Sequence, residues 1–181
     1  MIISGLGANF EIDAKKVVAL STLSQLGLII RALGAGYPLI AFFHIVVHAI
    51  FKARLFICVG FIIHSSGGFQ DSRAIRGLFI SRPVLSLGLG ITNLSLCGAP
   101  FIAGFFSKDL IIERFYSIGL GAWGVLGIGV SVVLTMGYRV RFFYKGLISH
   151  SNLRGVRGVG DSRSLVRGSL TALLILSVAG G

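Results

Sequence analysis

Five long apolar stretches constrain the fold of this chain more than any other feature of the sequence. At 1.5 Å per residue, about 20 apolar helical residues cross the roughly 30 Å hydrocarbon core of a bilayer. We predict spans at residues 17–33, 38–63, 84–112, 122–143 and 165–179. Continuous runs of this length lack the ten-residue alternation of a membrane barrel. The predicted fold is an all-α polytopic membrane helix bundle with about five transmembrane helices, forming one membrane domain over residues 1–181.

The composition excludes several other classes of protein. Hydrophobic residues make up 54% of the chain and charged residues 13%, which fits neither a disordered chain nor a water-soluble enzyme. The net charge of +11 could indicate a nucleic-acid partner. A nucleic-acid-binding protein, however, carries its basic residues on a polar surface, whereas here they interrupt apolar runs. We therefore expect membrane lipids, and no nucleic acid, among the partners.

The basic residues also predict an orientation in the membrane. Five alternating spans place twelve of the seventeen Lys and Arg residues on one face, while the opposite face has Arg31 and Arg114. The positive-inside rule assigns such a basic face to the cytoplasm or the mitochondrial matrix. We expect Arg139 and Arg141, at the end of the fourth span, to be anchors at that face.

The second span carries three titratable side chains at successive intervals of four residues: His44, His48 and Lys52. Each interval advances only 40° around a helix, so the three residues form one stripe about 12 Å long. Histidine titrates nearest physiological pH, and burial lets a lysine amine lose its proton more easily, so this stripe can hold and release protons. The alternative is a polar helix interface in which Lys52 extends towards the membrane surface.

Other polar residues in the spans favour a role in packing. Arg54 lies about 200° around the helix from Lys52 and is expected to contact another helix or an acidic residue. On the first span, Ser21, Thr22, Ser24 and Gln25 could hydrogen-bond across helices or hold water, and the interhelical role is the commoner one.

The third span is predicted to be a discontinuous helix. It contains Gly98-Ala99-Pro100 and then Gly104, where Pro removes a backbone donor and Gly tolerates unwound geometry. Broken helices mark ion sites in transporters because their free backbone groups must face protein or water. In a straight helix from Val84, Lys108 would lie about 36 Å along and outside the hydrocarbon. The break could keep Lys108 inside, with Asp109 next to it.

The sequence contains no motif of a soluble-type catalytic centre. We find no GxxxxGK[ST] phosphate loop, HExxH motif, Ser/His/Asp arrangement or Cys/His metal motif. We therefore expect no cofactor-binding residues, no metal ligands and no redox active site in this chain.

Three segments resemble a known family, the antiporter-like membrane subunits of respiratory complex I, the NADH:ubiquinone oxidoreductase. The segments are DAKKVVALSTLSQLG (13–27), FHIVVHAIFKARLF (43–56) and GAPFIAGFFSKDLI (98–111). They occur in the family's order and at about its separations, and the resemblance extends over nearly the whole chain from Asp13. It is strongest to the most distal of these subunits.

The resemblance implies a role in proton translocation. Lys108 matches the central lysine of the family's second discontinuous helix, and His44, His48 and Lys52 match its central hydrophilic axis. It also implies that the neighbouring complex I membrane subunits are partners and that the chain lies in the mitochondrial inner membrane, or alternatively in a bacterial one.

The chain departs from the family pattern in two respects. Arg54 stands where the family has an apolar residue, and the chain is far shorter than the full subunit. The first half, with its own acidic residue and lysine, and the C-terminal lateral helix are missing. We therefore expect a separate chain that carries the missing half.

The sequence leaves three functions open. The first is a proton-translocating subunit of complex I that performs no redox chemistry itself. The second is a subunit of a multi-chain cation/proton antiporter or membrane hydrogenase, which use similar motifs. The third is a structural part of the membrane arm that does not conduct.

Overall fold

The computed structural model describes residues 1–65, 68, 70–72, 83–100, 102–117, 119, 122–144, 168 and 171–172. Within these residues it contains six α-helices and one isolated β-bridge. The helices are α1 (Ile2–Phe10), α2 (Ala14–Gly34), α3 (Pro38–Ser65), α4 (Pro83–Cys97), α5 (Ala103–Ser117) and α6 (Ala122–Phe143). The predicted all-α membrane bundle is confirmed. The predicted span at 165–179 lies almost entirely outside the described residues.

The first helix, α1, is not predicted from the sequence, because nine residues are too few to cross a bilayer. It packs against α2 and α6. Its Asn9 side chain donates to the backbone carbonyl of Leu134 on α6, at 3.2 Å. Tertiary packing therefore holds α1 in place.

Helices α2 and α3 form an antiparallel pair. Gly36, in the turn between them, has a φ of 82°, a conformation that glycine adopts without strain. Pro38 then begins α3, where its missing N–H is not needed. Beyond α3 the chain returns to the start of α2, where the Ala14 amide donates to the carbonyl of Gln70 at 3.0 Å. This contact fixes the basic end of α2 to the end of α3.

The predicted discontinuous helix is confirmed. Helix α4 ends at Cys97 and α5 begins at Ala103, with Gly98 at a φ of 87° directly after α4. The two half-helices approach closely, since a Cβ added to Gly104 would lie 2.0 Å from the backbone oxygen of Ser95. Glycine at this position is what allows the start of α5 to touch the end of α4.

The interior of the bundle holds apolar clusters together with buried polar and charged side chains, while many large apolar side chains lie on its surface. Large apolar side chains such as Leu39, Phe42 and Val133 are more than 60% exposed, whereas Lys52 and Arg54 are buried. Among the described residues, three helices are long and apolar enough to cross a membrane, namely α2, α3 and α6. This distribution suits a protein surrounded by lipid, where polar groups must be satisfied internally.

We predict that Gly104→Ala prevents the folded bundle from accumulating. The added methyl group would overlap a backbone oxygen, which side-chain movement cannot relieve. The measurement is the amount of folded chain and its unfolding temperature after mild detergent extraction. Gly129→Ala is the control, since a Cβ there meets nothing within 4 Å. Equal yields and unfolding temperatures for the two variants would contradict the tight crossing.

Candidate functional site

A row of buried protonatable side chains follows one side of α3. His44, His48 and Lys52 are 3%, 8% and 4% exposed. The two imidazole rings are stacked, with their centroids 6.1 Å apart and their planes 26° from parallel. The stripe predicted from the four-residue spacing therefore points into the bundle.

Helix α2 supplies the contacts of Lys52 at one end of this row. The Lys52 amine donates to the backbone carbonyl of Val18 at 3.3 Å and to the hydroxyl of Ser21. Ser21 is 2% exposed and donates to the same Val18 carbonyl, so both groups are held within the bundle. Lys52 therefore faces polar groups of α2 and does not face the lipid.

The other end of the row reaches the second half of the broken helix. Nδ1 of His44 lies 3.1 Å from the hydroxyl of Ser107 on α5. Nε2 of His44 and Nε2 of His48 are buried and have no hydrogen-bond partner within the described residues. Each ring therefore keeps a nitrogen that is available to a further donor or acceptor.

The break between α4 and α5 provides the site of Lys108. Its amine donates to the carbonyl of Leu96, in the last turn of α4. The last carbonyls of a helix have no partner in their own helix, and its C-terminal end attracts cations. Gly98 borders the stem of this lysine, since an added Cβ would lie 3.7 Å from Cδ of Lys108. Lys108 is 9% exposed, so the break keeps it inside the bundle.

The predicted supporting residues divide into two groups. Gly98 and Gly104 shape the break, as described above. Asp109 and Pro100 are exposed, so they do not join Lys108 in the interior. Asp109 therefore does not neutralise Lys108 from inside the bundle.

The expectation that Arg139 is a surface anchor is wrong. Arg139 is 2% exposed, because α6 packs against α1, α2 and α4 and the face of its last turns that carries Tyr138 and Arg139 is buried. Its guanidinium lies over the ring of Tyr138, 5.3 Å from the centroid. The positive-inside rule could not reveal this, because it counts a basic residue near a helix end without regard to what covers it.

Arg54 contacts another helix, as predicted, while Arg141, which was predicted to be an anchor at the membrane face, contacts the segment between α1 and α2. Arg54 is fully buried and lies against Gly88 of α4, where an added Cβ would be 3.6 Å from a guanidinium nitrogen. Arg141 donates to the carbonyl of Glu11 at 3.3 Å. Arg54 is therefore part of the interface between α3 and α4.

The buried histidine, lysine and arginine side chains of the row and its surroundings are all basic. No carboxylate is buried in the part of the chain that the structure describes. Within those same residues, no three His, Cys, Asp or Glu side chains are grouped so that they could hold a metal ion. The protonatable groups of the row are thus two imidazoles and a lysine amine, with the amine of Lys108 at the broken helix.

The chain belongs to a family of membrane proteins. Residues 1–135 match the sequence model of the family described as NADH:quinone oxidoreductase/Mrp antiporter, TM. Over 181 residues the chain is 42% identical to NADH-ubiquinone oxidoreductase chain 5 of Aedes aegypti and to the protein of the same name of Locusta migratoria. It covers 31% and 32% of those proteins, and thus spans about a third of their length.

Solved structures contain the same fold. A chain of the membrane-bound sulfane sulfur reductase, an archaeal respiratory membrane complex, is 30% identical with a TM-score of 0.89; the match covers 99% of this chain and 30% of that one. A chain of respiratory complex I from Thermus thermophilus has a TM-score of 0.86 at 20% identity, and the match covers 98% of this chain and 37% of that one. The second match shows the fold alone.

We predict that Ser107→Ala destabilises the bundle, because it leaves Nδ1 of His44 buried without its partner. Hydrogen bonds between membrane helices contribute roughly 0.5–2 kcal/mol, so the unfolding temperature should fall by a few degrees. Ser117→Ala is the matched control, since it removes an exposed hydroxyl from the same helix. An unchanged unfolding temperature for Ser107→Ala would mean that the contact between α3 and α5 contributes nothing.

Proposed function

We propose that this chain is part of a proton-translocating membrane-arm subunit of NADH:quinone oxidoreductase. Lys52, His48, His44 and Lys108 carry the protons, and the chain performs no redox chemistry of its own. The observation that carries this proposal is the row of buried side chains on α3. It runs from Lys52, which contacts α2, to His44, which contacts the broken helix that carries Lys108. The family and the complex I relatives support the same assignment.

The chemistry of each group suits a relay. An imidazole takes up a proton on one ring nitrogen and releases another from the second, so the His44 and His48 pair passes protons without moving far. A lysine amine that gives up its proton stays in place through its remaining hydrogen bonds. We assign Lys52 to the lateral relay, and Lys108 to the gate towards the outer face of the membrane.

Repulsion among the basic groups of the row favours movement of protons along it. Several cations held together in a low-dielectric interior repel one another, and removing them from water is costly. The lysines and histidines of the row are the groups that gain or lose protons. Conformational or electrostatic changes elsewhere in the complex would then alter which of them is charged.

The partners and the location follow from this proposal. Electron transfer from NADH to quinone takes place in other subunits, so this chain has no cofactor. Its partners are the neighbouring membrane subunits of the complex, in the mitochondrial inner membrane or, alternatively, in a bacterial inner membrane. The separate chain that carries the missing half of the subunit stays a prediction.

A subunit of a multi-chain cation/proton antiporter is the alternative function, because the family description also names Mrp antiporters. The composition of the native assembly separates the two functions. We expect the purified assembly to contain flavin and iron–sulfur subunits. An assembly with neither would favour the antiporter.

We predict that Lys108→Met and Lys52→Met each depress NADH-driven proton translocation in the assembled complex. Methionine keeps much of the side-chain volume but cannot carry a proton. Translocation is measured as protons moved per NADH oxidised in sealed vesicles, together with the amount of assembled complex. Lys16→Met is the control, since it removes a lysine that is 65% exposed and paired with Asp13 at 3.2 Å.

The outcomes separate proton transport from a structural role. A wild-type ratio of protons to NADH in the Lys108→Met variant would contradict its role as the gate. If the ratio survived substitution of Lys52, Lys108 and His48 together, while shortened helices abolished assembly, the chain would be a structural part of the membrane arm.

A further inference from the structure

Ser21 on α2 is the side chain that receives the amine of Lys52 inside the bundle. Ser21 is 2% exposed and Lys52 is 4% exposed, so both lie in the interior. The Lys52 amine donates to the Ser21 hydroxyl oxygen and, at 3.3 Å, to the backbone carbonyl of Val18. Within the described residues, these two oxygens are the hydrogen-bond acceptors of the amine. The place of the amine therefore depends on them.

The carbonyl of Val18 is shared with other donors. The Ser21 hydroxyl donates to it at 2.8 Å, and in an α-helix the amide of Thr22 is its ordinary partner. A carbonyl oxygen has two lone pairs, and these two donors already occupy them. Val18 therefore contributes less than Ser21 to holding the Lys52 amine.

The Ser21 hydroxyl has the capacity that the carbonyl lacks. A hydroxyl has one proton and two lone pairs, and the proton of Ser21 is directed at Val18. Both lone pairs are therefore available to the Lys52 amine. Ser24, which is also buried, donates to the backbone carbonyl of Ser21 at 2.9 Å and does not compete for the hydroxyl oxygen.

A hydroxyl also suits an amine whose charge changes. A protonated lysine has three donors and no acceptor, whereas a neutral amine has a lone pair that accepts a hydrogen bond. A backbone carbonyl can only accept. The Ser21 hydroxyl accepts from the charged amine and, after rotation, donates to the neutral one, so a hydrogen bond between the two side chains persists in both states.

From this contact we infer that Ser21 is a positioning residue for Lys52: its hydroxyl holds the amine in one place while the amine gains and loses a proton. Lysine has a flexible four-carbon stem, so without such a partner on a neighbouring helix the amine would occupy several positions. Ser21 takes no net part in the transfer, because its proton returns to the Val18 carbonyl. This inference rests on the proposed function, in which Lys52 carries protons.

The first test is a density map of the assembled complex. We expect Nζ of Lys52 within hydrogen-bond distance of Oγ of Ser21, and in the Ser21→Ala variant we expect the amine to leave this position or to spread over several. Ser21→Thr should leave the amine in place, because a helical threonine still directs its hydroxyl to the carbonyl three or four residues earlier. An unmoved, well-ordered amine in Ser21→Ala would overturn the inference.

The second test measures the rate of coupled proton translocation for the same variants, normalised to the amount of assembled complex. Loss of a hydrogen bond to a charged group should lower the rate about tenfold in Ser21→Ala. Ser21→Thr should restore most of the rate, which a merely structural role for a small side chain would not require. Ser24→Ala is the matched control, since it removes a buried hydroxyl from the same helix without touching Lys52.

The outcomes decide between the two roles. A wild-type rate in Ser21→Ala, or equally low rates in assembled Ser21→Ala and Ser21→Thr, would overturn the positioning role. If the threonine variant does not assemble, the comparison of Ser21→Ala with Ser24→Ala decides, and equal rates for these two contradict the inference.

Failure of this inference is distinguishable from failure of the proposed function. If Lys52→Met depresses translocation while Ser21→Ala does not, Lys52 carries protons without help from Ser21 and only the inference fails. If Lys52→Met has no effect, the proposed role of Lys52 fails, and the position of its amine in the density maps then decides whether Ser21 holds it.

Discussion

The burial of cationic side chains inside a lipid-embedded bundle is the constraint on which the rest of the structure depends. A charged group in the membrane costs several kcal/mol unless protein or water surrounds it, and about 2.5–3.5 kcal/mol even on the most lenient scales. Lys52 meets this requirement through a carbonyl and a hydroxyl of α2, and Lys108 through the last turn of α4. Neither lysine is paired with a buried carboxylate in the described part of the chain, so neutral oxygen atoms hold both of them.

The discontinuous helix follows from this constraint. An unbroken helix would satisfy its own carbonyls and would carry Lys108 beyond the hydrocarbon. Ending α4 at Cys97 frees the carbonyl of Leu96, and the contact of Gly104 with Ser95 brings α5 close enough for Lys108 to reach it. The same turn of α5 presents Ser107 to His44. One break therefore positions both the lysine and the end of the row of imidazoles.

Much of the site could be predicted from the sequence, because spacing and helix breakers are local. The interval of four places His44, His48 and Lys52 on one face, and Gly98-Ala99-Pro100 marks the break. The burial of Arg139 and the packing of α1 could not be predicted, since both depend on which helices cover the end of α6. The exposure of Asp109 depends on the angle at which α5 leaves the break. These features depend on tertiary packing, which neither the periodicity of the sequence nor the positive-inside rule reveals.

The proposed relay requires that His48 gains and loses protons during turnover of the complex. Infrared difference spectroscopy of the assembled complex during NADH-driven turnover tests this most directly, with ring-labelled histidine used to identify the imidazole bands. We expect label-sensitive bands from a change in imidazole protonation in the unsubstituted complex, and their loss in His48→Leu with assembly preserved. Identical difference spectra for the two complexes would show that His48 does not change its protonation during turnover.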